Sequence, residues 1–150
     1  MTKNELVKTI DDYLKPQGFI RKDKTWYKDT PEIVVMFTID KSQYSQLYYA
    51  SVHFLLKAIS HEKYPKFWKS HSYLRAEKYM KEDPKNYLDL ENELDDETRE
   101  IEIKHLLDNS LSLLKLFETK DGINKALTLY NPRSFGINLE AQKSLGISIE

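Results

Sequence analysis

The stretch Gly18 to Leu56, GFIRKDKTWYKDTPEIVVMFTIDKSQYSQLYYASVHFLL, decides the fold. It is dense in β-branched and aromatic residues, is broken by polar turn clusters and repeats its apolar positions at every second residue, so it reads as three consecutive antiparallel strands. The first strand begins at Phe19, and alternation puts Trp26 and Tyr27 on opposite faces, so at most one of the pair is expected to lie fully in the core. Asp23-Lys24 reads equally as a bulge or as a small turn inside that strand. Asp29-Thr30-Pro31 is a hairpin turn, with the fixed φ of proline where the turn can use it.

In the second strand Ile33, Val35, Phe37 and Ile39 point one way and Val34, Met36 and Thr38 the other. Both faces are apolar, which places this strand centrally, with helices over one side and other chain over part of the second. Asp40 to Gln46 forms the next turn. Strand three puts Tyr48, Ala50, Val52, Phe54 and Leu56 on one face and Leu47, Tyr49, Ser51, His53 and Leu55 on the other, with His53 on the more polar side. The loop from His61 to Lys69 is rich in lysine and aromatics, and Ser70 to Lys78 reads as a fourth strand.

Helices flank this sheet. Thr2 and Glu5 have capping-box spacing, and Leu6, Val7, Ile10, Tyr13 and Leu14 share one helical face that should lie on the sheet. Pro16 and Gly18 stop that helix near Leu14 or Lys15. From Asp95 the period is again helical, with Asp95 and Asp96 as cap candidates and Ile103, Leu106, Leu107, Ser110, Leu113, Leu114 and Phe117 as a stripe over four turns. A shorter helix runs from Thr119 or Lys120 to Tyr130 and ends at Asn131-Pro132. A further short one covers Asn138–Leu145. The expected fold is therefore α+β: an antiparallel β-meander of about four strands, an N-terminal helix, and C-terminal helices packed on one face.

Composition sets bounds on function. A chain of 150 residues is the size of one domain, spanning 1–150, and can bury an adequate core without metal or disulfide. With no cysteine, thiol nucleophiles, thiolate metal sites and disulfides are all excluded, which suits a reducing compartment. The start is amphipathic and carries early acids, unlike a signal or transit peptide, and no apolar run nears the roughly 20 residues of a membrane span, so the expected location is cytoplasmic, away from membranes.

The net charge of −1 conceals an asymmetry. Residues 1–81 hold 15 Lys/Arg against 9 Asp/Glu, while residues 82–150 hold 8 against 15. Ten of those acids fall between Glu82 and Glu102, with only Lys85 and Arg99 as bases. The plain reading is a solvated loop and helix start whose acids favour the helix dipole. The sharper reading is an acidic surface, Glu91, Glu93, Asp95, Asp96, Glu97 and Glu100, offered to a basic partner.

No catalytic motif accompanies this pattern, which favours a non-enzymatic binding protein and leaves an enzyme of unknown reaction as an alternative. His53, His61, His71 and His105 lack the i, i+4 helical spacing of a zinc site, and the four glycines are too far apart to cradle a phosphate, so no cofactor or metal is expected. A triad of Ser70, His71 and Asp96 can be drawn, but no nucleophile-elbow sequence supports it. Nucleic-acid binding is the rival to a protein partner: Arg21, Lys22, Lys24 and Lys28 lie beside Trp26 and Tyr27, and Lys66 and Lys69 beside Tyr64, Phe67 and Trp68, the combination that holds single strands. Trp26, Tyr27 and Trp68 are the aromatic candidates for contact with a partner.

The ordered run Leu14-Lys15-Pro16, Gly18-Phe19, Arg21-Lys22, Thr25-Trp26-Tyr27, Lys41-Ser42-Gln43-Tyr44 and Tyr48-Tyr49, then a strand ending Leu56-Lys57, resembles the bacterial family catalogued as domain of unknown function 4304. The likeness is best over residues 5–60. It implies an N-terminal helix, an antiparallel meander and helices after it, and it brings no reaction with it. Related small bacterial proteins are often encoded beside secreted toxins as their cytoplasmic immunity partners, so the resemblance implies a non-enzymatic protein that occludes a toxin domain. That implication is associative rather than chemical.

Overall fold

Thr2 opens the first helix, its hydroxyl accepting the Glu5 N–H at 3.2 Å, and α1 (Lys3–Leu14) buries Leu6, Ile10 and Leu14. The computed structural model describes residues 1–78, 80 and 83–149; Glu82 of the acidic run and Glu150 of the tail lie outside them. A 3-10 turn, Lys15–Gln17, follows α1 and ends at Gly18, whose φ of 93° is open to glycine at little cost.

Among the described residues five strands follow where about four are expected, in the spatial order of the sequence and all antiparallel: β1 (Ile20–Lys22), β2 (Thr25–Asp29), β3 (Ile33–Lys41), β4 (Tyr48–Leu56) and β5 (Leu74–Arg75). The extra strand arises because Asp23-Lys24 is a turn rather than a bulge. Lys22 pairs with Thr25 across it, and Asp23 takes a φ of 54°, a region that aspartate tolerates better than most residues. The expected strand Ser70–Lys78 keeps regular pairing only at Leu74 and Arg75, opposite Val52 and Ser51.

The register sorts the sheet into two faces. Trp26, Phe37, Val52 and Leu74 align in one row across β2 to β5, with Val35 opposite Phe54 and Ile33 opposite Leu56 beside it; all are buried. This face meets the helices. The long helix α3 (Asp96–Leu116) contributes Ile103, Leu106, Leu107, Leu113 and Leu114, and Phe117 just beyond it packs edge to face on Phe54 with centroids 5.1 Å apart. The shorter α4 (Lys120–Leu129) adds Ile123 and Ala126, and α5 (Leu139–Leu145) adds Ala141 and Leu145. A single turn of helix, α2 (Lys85–Leu88), precedes α3 and buries Tyr87 and Leu88.

The other face carries Tyr27, Val34, Met36 and Leu55, a second apolar cluster. The loop after β4 covers it, its Pro65 carbonyl accepting the Tyr27 hydroxyl at 2.8 Å while the Tyr64 ring packs edge-on against Tyr27. For that reason both members of the Trp26-Tyr27 pair are buried, at 0 % and 6 % exposure, each on its own face.

The angle between α3 and α4 rests on Gly122. A Cβ there would stand 1.9 Å from the Leu116 carbonyl oxygen, a backbone atom that cannot swing aside. Gly122→Ala should therefore cost about 1 to 3 kcal/mol by overpacking. Urea denaturation would read this as a lower midpoint at unchanged slope, and an unchanged midpoint would mean that α4 is free to shift.

Candidate functional site

The acids selected from the sequence lie along the loop before α3 and the first two turns of that helix, an acidic ridge. Glu91, Glu93, Asp95, Asp96, Glu97 and Glu100 are all exposed. Three have local work. Asp95 is the N-cap, accepting the Thr98 N–H and hydroxyl, each at 2.8 Å, and these bonds hold its carboxyl below the usual range. Asp96 meets the Met1 amino group at 3.1 Å, and Glu100 pairs with Lys104 at 3.6 Å on the same helix. Glu91, Glu93 and Glu97 make no such pair among the described residues.

Arg99 lies behind the ridge and is 1 % exposed. Its guanidinium donates to the carbonyls of Tyr87 at 2.6 Å, Asp89 at 3.0 Å and Asn92 at 2.8 Å, closing the loop against α3 like a clip. Although it sits within the most acidic segment of the chain, its partners are carbonyls. The carboxylates are left to solvent. A signal for Arg99 is present in the sequence, since it stands four residues before Ile103 on the same stripe as Leu106, Ser110 and Leu113, but its charge alone makes it read as surface.

The basic and aromatic segments converge elsewhere. Lys22 and Lys24 around the first hairpin and Lys66, Phe67 and Trp68 of the loop after β4 line one groove of about 460 Å³, with Thr25 and Thr38 in it as well as Asp23 and Asp40. Trp68 is 66 % exposed. Trp26 takes no part in that surface, being enclosed with its indole N–H donated to Asp11 at 3.0 Å, whereas Tyr27 lines the groove from a buried position.

Between groove and sheet edge lies a polar cluster that the sequence did not reveal. His53 is fully buried, with Nε2 at 2.8 Å from the Ser51 hydroxyl and Nδ1 at 2.8 Å from the Ser72 carbonyl, which accepts and so fixes the proton on Nδ1. Ser72 and His71 complete β4 with side chains: Ser72 Oγ accepts the Phe54 N–H at 2.9 Å, and His71 Nδ1 accepts the Leu56 N–H at 2.8 Å. Burial pushes the His53 imidazole down to about 4 and lowers His71 as well. Both rings are thus neutral structural acceptors and donors. The Ser70, His71 and Asp96 triad does not assemble, because the one hydroxyl proton of Ser70 is directed between the Phe67 and Ser72 carbonyls, His71 is occupied by the strand and Asp96 is engaged at Met1. Among the described residues no group of three or more His, Asp or Glu side chains is placed to hold a metal ion. Nor is any described helix long and apolar enough to cross a membrane.

Two outcomes follow from these buried groups. Because the folded His53 stays neutral while the unfolded one protonates near 6.5, its stabilisation is complete above that value and is lost as pH falls from about 6.5 to about 4. The size of this contribution is about 3 kcal/mol. Thermal melts of His53→Gln across that window should show a flatter pH dependence than the parent, and equal slopes would assign the acid sensitivity to other groups. Arg99→Met should cost about 3 kcal/mol or more, since each orphaned carbonyl forfeits about 1 to 3 kcal/mol. Arg99→Lys should recover only part of this, because one ammonium cannot reproduce the fork.

Comparison with known proteins adds one match. No curated protein and no solved structure is detectably similar to the chain. A protein family does match, over residues 10–119, taking in the last turns of α1, the whole sheet and α3. The chain belongs to that family, which is described as a domain of unknown function (DUF4304).

Proposed function

We propose that the protein is a non-enzymatic binding protein whose acidic ridge docks on a basic protein surface, in the manner of a cytoplasmic bacterial immunity or antitoxin protein occluding a toxin domain. One observation carries this reading. A buried guanidinium fixes the ridge from behind through backbone carbonyls, so that Glu91, Glu93 and Glu97 are held in place without being neutralised. Occlusion needs nothing more elaborate: charge of one sign speeds encounter with a partner of the other, and a preordered loop reduces the entropy lost on docking. A nuclease toxin would suit such a ridge, because its substrate groove is basic and carboxylates can stand where phosphates bind.

The test uses the product of the adjacent reading frame as the partner. Association should be fast at low salt and slow markedly as salt rises, and the triple reversal of Glu91, Glu93 and Glu97 to Lys should lower the rate about tenfold or more. These three positions are chosen because reversing Asp95 would also remove the helix cap. If parent and reversed protein associate equally fast at both salt concentrations, the ridge is not the docking surface.

A further inference from the structure

The groove beside Trp68 is not used by the acidic ridge, and its composition points to a second ligand. Lys22, Thr25, Thr38, Ser51 and Arg75 pair in succession across the sheet, but Thr25, Thr38 and Ser51 are buried, so of this row it is Lys22 that brings charge to the groove. Lys24 and Lys66 add charge along the groove, and neither has a carboxylate partner among the described residues; Asp23 and Asp40 also line it and leave it basic on balance.

Aromatic surface runs alongside. The Arg75 guanidinium stacks over Tyr49 at 4.3 Å and reaches Tyr73 at 6.0 Å, Tyr73 approaches Phe67 at 6.2 Å, and Phe67 meets Trp68 edge-on at 5.1 Å. At the opposite end Lys22 lies 4.9 Å over the Tyr64 ring. Phe67 is braced from below by His53, 5.6 Å away, so the turn that presents Trp68 is anchored to the sheet. An indole two-thirds exposed on an anchored turn beside these lysines is a stacking platform next to a phosphate track.

We propose that this groove binds single-stranded nucleic acid, with a base stacked on Trp68 and the backbone phosphates on Lys22, Lys24 and Lys66. The charge complementarity is with an extended polyanion, and the aromatic wall favours one carrying flat bases. This reading uses a surface separate from the ridge and stands or falls apart from it.

The experiment follows the anisotropy of a fluorescein-labelled oligothymidylate and the intrinsic tryptophan emission of the intact protein at low salt. Binding should raise the anisotropy and quench emission, the quenching coming from Trp68 because Trp26 is enclosed. Trp68→Ala should weaken binding about ten- to hundredfold. The paired reversal Lys24→Glu with Lys66→Glu should reduce the dependence of log K on log salt by about 0.7 for each phosphate left without its lysine. Absence of quenching in the parent at low salt overturns the proposal without recourse to any variant. So does equal affinity for a duplex, or for polyglutamate, either of which would make the groove a general seat for anions or for an acidic protein.

Discussion

The structure depends on a single constraint: β3 and β4 are buried on both sides, β3 with apolar residues on each face, and a sheet buried on two faces must be covered twice. Helices α1, α3, α4 and α5 supply one cover, over the row led by Trp26 and Phe37. The other cover is the loop leaving β4, which folds back over Tyr27, Val34, Met36 and Leu55 and brings Tyr64, Pro65 and Phe67 with it. Such a loop carries backbone and side-chain polar groups into a buried place, and those groups have to find partners. The serine and histidine cluster is the consequence. His53 ties strand to loop, while His71 and Ser72 satisfy strand N–H groups that a regular fifth strand would otherwise have bonded.

That arrangement explains what is legible in the sequence and what is not. The alternation in Ile33 to Ile39 and Tyr48 to Leu56 identifies the central strands and both their faces, and the stripe from Ile103 to Phe117 identifies the covering helix. These signals are periodic, and burial on a sheet or a helix face imposes that period directly. The Asp23-Lys24 turn is ambiguous because one residue with positive φ separates the two outcomes. The truncated fifth strand reads as longer than it is for a deeper reason. Ser72 and His71 serve the sheet with a hydroxyl and an imidazole instead of backbone carbonyls, and a bond made by a side chain leaves no trace in alternation. Arg99 escapes notice likewise, since its acceptors are carbonyls of three residues upstream and carbonyls have no letter of their own.

Charge segregation along the chain becomes segregation in space by the same route. The basic excess of residues 1–81 includes the first hairpin and the covering loop, so covering the second face brings Lys22, Lys24 and Lys66 together. The acidic excess of residues 82–102 arrives after the sheet is complete, where it can serve as the start of α3. Acids suit that position because the exposed N–H groups of a helix start favour negative charge. Local physics alone thus accounts for Asp95, and partly for Asp96 and Glu97. It does not account for Glu91 and Glu93, which precede the helix and have no dipole to stabilise them.

Arg99 bears on that remainder. A buried arginine beside ten acids would gain most, electrostatically, from a carboxylate partner, and Asp89 is near enough in the chain for its own carbonyl to be bonded instead. Pairing with a carboxylate would have drawn one acid inward and released the loop, whereas bonding three carbonyls orders the loop and leaves its acids outside. The cost is a buried cation held only by dipoles, which a protein interior tolerates when the fork is directed at acceptors, as both of its terminal nitrogens are here. Rigidity combined with charge left open to solvent is the property expected of a surface that another macromolecule has to recognise.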